Sequence, residues 1–383
     1  MDDVLIVGAG PAGAVAAIVL ARAGARVRLV DRATFPRPKL CGDTINPGTL
    51  AALRDLDLAD AVAGSGLRVD GMRVTGPTGV AIEGRYPDGL YGRAMLRRDL
   101  DWALVQHAVT EGVHFEPGVA VRQAIVEAAG TERAILGVAV GVNGQMRELR
   151  ARVTIAADGR RSTLAFALGL ARHPPRPRRW AIGAYYDTVH GMSSLGEMHV
   201  RQGRYIGVAP IAGGLTNVCL VRPFGVGEGA PAFGTLLSAE LARDPWLRDR
   251  FADARPVQPP VVLGPLAVDV ENAHLTGLLL AGDAAGFIDP MTGDGLRFAI
   301  RGGALAAGAA LGALTTGWSG VHDRLHAARV REFGAKWRFN RVLRSLVTYP
   351  SMVQGSAFAA RLLPGVLRRM ISTAGDCGVA ALQ

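Results

Sequence analysis

Apolar runs and turn signals alternate along this chain in two distinct rhythms. Residues 3–7 form a short, mainly apolar run, residues 12–23 are helix-compatible, and residues 27–30 are mainly apolar again. Short apolar runs without alternation suit parallel strands buried on both faces, and the stretch between them suits a crossover helix. The β-branched run 153–157 and the leucine-rich run 278–281 predict two more buried strands, each ending at a glycine turn. A second rhythm occupies the middle of the chain. Residues 67–75 and 80–85, separated by Gly76-Pro77-Thr78-Gly79, read as a hairpin. Strand-like segments 180–188, 196–200, 205–209 and 216–222 would extend it into an antiparallel sheet. A helix near 232–242 and a proline-rich return over 255–265 follow, and from residue 294 the pattern is mainly helical, broken at Pro350 and Pro364-Gly365.

The predicted fold class is therefore α/β, with interleaved units. A Rossmann-like nucleotide-binding domain would comprise residues 1–66, 93–169 and 266–315. An antiparallel β domain for the substrate would comprise 67–92 and 170–265, and a helical cap 316–383.

Three glycine-rich turns carry the candidate chemistry. Gly8-Ala9-Gly10-Pro11-Ala12-Gly13 falls at a strand-to-helix turn. Gly8 permits the tight turn, Gly10 lets backbone approach a pyrophosphate, and Gly13 lets helix and strand pack closely. The helix N-terminus presents free N–H groups to the phosphates. Asp31 ends the second strand 23 residues beyond Gly8, where a carboxylate can accept from a ribose diol, with Arg32 beside it. Asp158-Gly159 ends the third strand, and Asp158 can anchor backbone N–H groups there. Gly282-Asp283 ends the fourth, placing Asp283 at the crevice where open α/β sheets bind ligands and where it could bond a ribityl chain. Pro290, Gly293, Gly295 and Leu296 lead into a helix whose N-terminus can face a flavin ring edge. Together the three turns read as a flavin site.

Composition narrows the class. The three cysteines, Cys41, Cys219 and Cys377, are odd in number and widely spaced, so neither a disulfide framework nor a metal site is expected, and a reducing cytoplasm fits. Residues 4–20 are nearly all apolar, but Asp2 and Asp3 replace the basic flank of a signal peptide, and the glycines interrupt a membrane span. The apolar stretch 302–316 is expected to pack against the cofactor domain. The formal charge of +10 is concentrated at the end, where residues 302–383 carry ten basic and three acidic side chains. No aromatic-interleaved basic motif accompanies it, so nucleic acid is not an expected partner. Residues 358–371 set Phe358, Leu362, Leu363, Val366, Leu367, Met370 and Ile371 against Arg361, Arg368 and Arg369, and Arg338, Arg341 and Arg344 precede them. That pattern fits a cavity-closing cap or, alternatively, peripheral contact with an anionic membrane.

These residues resemble the flavoprotein superfamily built on the para-hydroxybenzoate hydroxylase and glutathione reductase type of FAD fold. Within it the resemblance is closer to the geranylgeranyl reductase family, with flavin-dependent halogenases and aromatic hydroxylases as neighbours. Phe35-Pro36-Arg37-Pro38-Lys39-Leu40-Cys41-Gly42, Arg97-x-x-x-Asp101-x-x-Leu104 and the run Gly282 to Gly295 carry it. The resemblance implies non-covalent FAD held by Gly8, Gly10, Pro11, Ala12, Gly13, Asp31, Arg32, Arg37, Lys39, Cys41, Gly42, Arg97, Val121, Asp158, Gly282, Asp283, Pro290, Gly293, Gly295 and Leu296. NAD(P)H or another reductant would visit transiently. The prenyl reductases' Tyr-x-Trp-x-Phe-Pro strand reads Tyr205-Ile206-Gly207-Val208-Ala209-Pro210 here, and the halogenases' Trp-x-Trp-x-Ile-Pro segment is absent.

The sequence thus predicts an FAD-dependent oxidoreductase for a hydrophobic small molecule. Oxygen-dependent hydroxylation or epoxidation of an aromatic, polyketide or isoprenoid compound is favoured, prenyl double-bond reduction is the close alternative, and a non-enzymatic redox sensor is a third reading. Cys41, Tyr185, Tyr205, Val208 and Ala209 are the substrate-side candidates.

Overall fold

The computed structural model describes residues 2–77, 79–129, 132–142, 144–175, 178–224, 233–271, 273–348 and 364–380. Strand Asp2–Val7 lies at the centre of a seven-stranded sheet, between Val27–Asp31 and Gln145–Ala156, both parallel to it. His114–Pro117 and Leu278–Leu280 extend the parallel part at either side. Val4, Leu5 and Ile6 are fully or almost fully buried, as the apolar run requires. Helix Pro11–Arg22 covers one face together with helix Gly295–Thr316. The latter contains the apolar stretch 302–316. By length and hydropathy it could cross a membrane, but it packs on the first helix as part of the core.

Its packing depends on missing side chains. A Cβ on Gly303 would lie 2.3 Å from Ala12 O, whereas one on Gly308, in the same helix, would meet nothing within 4 Å.

Two features depart from the pattern read in the sequence. Ala120–Ala129, Glu132–Val142 and Gln145–Ala156 form a long antiparallel meander that leaves the parallel sheet and projects beyond it. Only the end of this meander was legible as a buried strand. Gln145–Ala156 is mostly exposed over its first half and fully buried over its last four residues, so one strand serves two environments.

The second departure corrects the expected antiparallel sheet. Its eight strands run in the order Arg255–Pro256, Arg179–Asp187, Thr216–Pro223, Arg204–Pro210, Leu195–Arg201, Gly71–Thr75, Ala81–Arg85, with Val261–Leu263 also on Arg179–Asp187. All seams are antiparallel except one: Leu195–Arg201 runs parallel to Gly71–Thr75. The hairpin arrives from a distant part of the chain, so no tight turn dictates its direction. Residues 255–265, read as a proline-rich return, contribute two of the edge strands. Leu67–Val69 leaves this sheet for a small three-stranded one with Gly92–Ala94 and Thr44–Ile45.

Helix Val321–Thr348 and the short helices Pro364–Ala374 and Cys377–Ala380 close the structure. Phe358 to Leu363, including Arg361, and Gly225 to Gly229 lie outside the described residues. Lys336 ties the closing helices to the sheet domain. Its ammonium donates to the carbonyls of Thr373 and Ala374 and pairs with Asp376 and Asp294 at 3.1 Å each.

The contrast between the two helix glycines is a direct test of the packing. Gly303→Ala should lower stability by about 1–3 kcal/mol through overpacking, while exposed Gly308→Ala should be neutral or add up to about 1 kcal/mol. Denaturant midpoints of the two variants check this, and equal midpoints would contradict it.

Candidate functional site

The three glycine turns meet around one cleft. Gly8 has φ +101°, and a Cβ there would lie 2.6 Å from Ala157 O; one on Gly13 would lie 1.9 Å from Gly8 O. These two glycines therefore lock the first turn against the strand that carries the second. Gly10 differs: a Cβ there would meet only Arg37 Nη2, at 3.6 Å, and the residue lines the cleft with Pro11 and Ala12. The helix beginning at Pro11 has no side-chain cap, so its N-terminus is open to an anion.

The cleft encloses about 1690 Å³, its open mouth included. Lys39, Arg97 and Arg160 line it beside the helix N-terminus, and Asp283 lines it at the third turn. Arg97 is 6 % exposed and bound bidentately by Asp101 at 2.8 and 3.0 Å, with Arg37 adding a contact to Asp101 at 3.1 Å. Arg160 Nε is buried without a hydrogen-bond partner among the described residues. Burial lowers the Arg160 pKa, opposed by the Asp283 carboxylate. Burial likewise raises Asp283 against the pull of Lys39, Arg160 and Arg97. An uncapped helix, an unpartnered guanidinium Nε and a glycine with open space before it suit a dinucleotide pyrophosphate.

Of the other residues read as cofactor contacts, Cys41, Gly42, Gly282, Pro290, Gly293, Gly295 and Leu296 line the cleft. Gly8, Gly13, Asp31, Arg32, Arg37, Val121 and Asp158 stand behind or beside it rather than on its wall. Asp31 accepts from Ala9 N at 2.8 Å and Ala33 N at 2.9 Å, holding the first turn in place. Asp158 accepts from Thr163 N at 2.8 Å and so fixes the second. Val121 packs against the buried cluster that includes Val30, Val119 and Val138. Asp289, not singled out in the sequence, shapes the third: it caps Met291 N at 3.1 Å, accepts from Tyr205 Oη at 2.6 Å and pairs with Arg179 at 3.1 Å.

On the opposite wall, Tyr205, Val208 and Ala209 line the cleft as expected of substrate-side residues. Tyr185 does not, but its hydroxyl donates to Asp43 at 2.5 Å. Asp43, Asn217 and Arg160 are wall residues that sequence reasoning missed, although Asp43 directly follows Cys41-Gly42 and Arg160 directly follows Asp158-Gly159. Val69, Met72, Met198, Val221, Leu263, Leu266 and Ala374 of the closing helix also line the cleft. Glu197 lines it too, engaged by Arg250 at 2.7 and 2.9 Å and by His199 at 2.9 Å. Burial alone would raise its pKa, but these partners bring it down to about 2.

Because Gly10 has no protein atom in close contact, Gly10→Val should fold normally yet purify without the yellow flavin spectrum. Wild-type flavin content in that variant would contradict the assignment of the first turn. Asp283→Ala, which removes one contact, should weaken binding by about 1.5–3 kcal/mol.

Comparison with known proteins agrees with this geometry. Residues 1–194 match the FAD binding domain family. A menaquinone reductase of Mycobacterium tuberculosis is 30% identical over 324 residues, covering 80% of this chain and 75% of that protein. A digeranylgeranylglycerophospholipid reductase of Methanosarcina mazei is 29% identical over 327 residues, covering 82% and 76%. Among solved structures, a flavin-dependent brominase superposes with a TM-score of 0.83 at 21% identity, covering 98% of this chain and 94% of that one. A geranylgeranyl bacteriochlorophyll reductase-like protein of Thermoplasma acidophilum superposes with a TM-score of 0.79 at 22% identity, covering 92% and 89%. Sequence match, glycine turns and cleft converge: the chain belongs to the FAD-binding-domain family and is an FAD-dependent oxidoreductase.

Proposed function

We propose that this protein reduces carbon–carbon double bonds in a long apolar, prenyl-type chain. The observation that carries this reading is the cleft's lining: Met72, Met198, Val208, Val221, Leu263 and Leu266 give it a mainly apolar wall in the same cleft as the candidate ring-edge turn at Pro290–Thr292. Such a wall suits an apolar chain. Reductases of menaquinone and of digeranylgeranylglycerophospholipid among the relatives support the same class.

Bound FAD supplies two-electron chemistry, either hydride donation to a double bond or oxygen activation. The chain's own residues bind and orient. Gly10, Pro11 and Ala12 receive the pyrophosphate with Lys39, Arg97 and Arg160, and Asp283 receives the ribityl chain. The N-terminus of helix Gly295–Thr316 would face the flavin, and its partial positive charge would favour the negative charge that reduction adds. The apolar wall and Ala374 of the cap exclude water from the reacting atoms.

Oxygen-dependent hydroxylation or epoxidation is the second reading. It draws on Gly207 and Ala209, which leave space for a ring or branched group where prenyl reductases carry Trp and Phe. A flavin-binding redox sensor would not need an apolar wall of this kind. Under either catalytic reading, electrons come from NAD(P)H or another two-electron donor that visits transiently.

The basic closing helices fit a route for a lipid substrate. Arg331, Arg338, Arg341 and Val342 are exposed on Val321–Thr348, so this surface can meet anionic headgroups. At low salt the protein should co-sediment with anionic but not neutral liposomes, and Arg331, Arg338 and Arg341 to Glu should abolish it. Equal failure to bind either liposome would remove the membrane route. Screening over about 8 Å at physiological ionic strength predicts release by salt.

The reaction class is tested with photoreduced holoprotein kept free of oxygen. A geranylgeranylated lipid should restore the oxidised flavin spectrum within turnover time, and phenolic compounds should not. No reoxidation by any prenyl compound, with phenol-dependent oxygen uptake under air, would establish the hydroxylase reading instead.

A further inference from the structure

One buried carboxyl on the cleft wall has no role so far. Asp43 is 0 % exposed as a residue yet lines the cleft, next to Cys41 and Gly42. Its backbone sits in the left-handed region at φ +50°, a conformation that costs a non-glycine residue energy and persists only where its surroundings fix it. Here Met95 N donates to its carbonyl at 2.8 Å. Three donors then fix the carboxyl group: Tyr185 Oη at 2.5 Å and Asn217 Nδ2 at 2.7 Å on Oδ2, and Arg97 N at 3.2 Å on Oδ1. Asn217 also donates to Cys41 O at 2.7 Å, so the loop and both substrate strands converge on this group.

No basic side chain forms an ion pair with Asp43 among the described residues, because the Arg97 guanidinium is committed to Asp101. The carboxyl is compensated mainly by neutral donors. Burial raises its pKa to about 6, against the hydrogen bonds from Tyr185 and Asn217 and the charge of Arg97. The other titratable groups facing it are Cys41, Cys219, whose thiol burial pushes up to about 12, and Tyr185, which burial and Asp43 hold neutral. A carboxyl near 6 can hold a proton and release it at close to neutral pH, as a general acid must. A purely structural staple between loop and sheet would need only the hydrogen bonds.

We propose that Asp43, positioned by Tyr185 and Asn217, is the proton donor for double-bond reduction in this cleft. The proposal rests on the reductase reading above. One alkene carbon takes hydride from reduced FAD and the other takes the proton of Asp43. The C=C π bond is replaced by two C–H bonds, FAD is left oxidised by two electrons, and Asp43 is left as a carboxylate that regains its proton from water. A nicotinamide- or quinol-class donor restores the reduced flavin. Tyr185, which touches Asp43 and not the cleft, is a positioning residue.

The test pairs Asp43→Asn, which keeps the shape and most of the hydrogen bonds, with Tyr185→Phe, which removes one donor to the ionised form. Carbon-13 NMR of aspartate-labelled protein in the oxidised state should show one carboxyl titrating near 6, absent in Asp43→Asn and moved to higher pH in Tyr185→Phe. In anaerobic reoxidation by a geranylgeranylated lipid, Asp43→Asn with wild-type flavin content should be slowed about 10²–10⁴-fold. The wild-type rate should fall as pH rises through the NMR value, and Tyr185→Phe should shift that fall upward. Wild-type rate and pH profile in Asp43→Asn, or no carboxyl titration removed by the substitution, would overturn the role of Asp43 and leave the reductase reading standing. Failure of the wild type itself to be reoxidised by the lipid would overturn the reductase reading, and the proton-donor role with it.

Discussion

The structure depends on the near-contact of three backbone segments that leave no room for side chains. Gly8 lies against Ala157 and Asp158, Gly13 against Gly8, and Gly282 and Gly303 against Ala12. Segments some 150 and 280 residues apart in the chain are thereby drawn to one point at the ends of adjacent parallel strands. Each turn then delivers one part of the binding surface: an open helix N-terminus, a guanidinium at Arg160 and a carboxylate at Asp283. Sterics alone fix this arrangement, since the same backbone path with a Cβ at Gly8 or Gly13 would collide with peptide atoms.

Carboxylates then stabilise the turns from behind. Asp31, Asp158 and Asp289 each spend oxygen atoms on backbone N–H groups. Such charge-assisted bonds are stronger than neutral ones, and they hold loops that would otherwise carry unsatisfied donors beside an apolar cleft. The second sheet supplies the opposite wall, and its buried Glu197, His199 and Arg250 network lets charged groups remain there without facing a ligand unpaired.

Much of this was legible in the sequence because glycine turns are local. Their spacing relative to apolar runs reports strand, turn and helix directly, and the strand containing Tyr205, Val208 and Ala209 was among the strand-like segments of the middle region. Other parts depended on contacts that no local pattern encodes. Tyr185 and Asn217 lie 142 and 174 residues from Asp43, and only the closing of one sheet over the other brings them together. The parallel seam between Leu195–Arg201 and Gly71–Thr75 was hidden for a similar reason, since strand direction follows from connection rather than composition. The meander from Ala120 to Ala156 escaped notice because its exposed portions carry mixed polar and apolar residues. Asp31 stood where a ribose ligand was expected, and its oxygens meet Ala9 and Ala33 N–H groups, a role that spacing alone does not distinguish.

The central claim is that FAD and an apolar chain share this cleft so that a double bond is saturated. The mass of the product formed from a geranylgeranylated lipid by the reduced holoprotein, with isotopically labelled oxygen present, tests it most directly. The account predicts a gain of two hydrogen atoms per reacted double bond and no labelled oxygen. Incorporation of labelled oxygen with the remaining double bonds intact would contradict it.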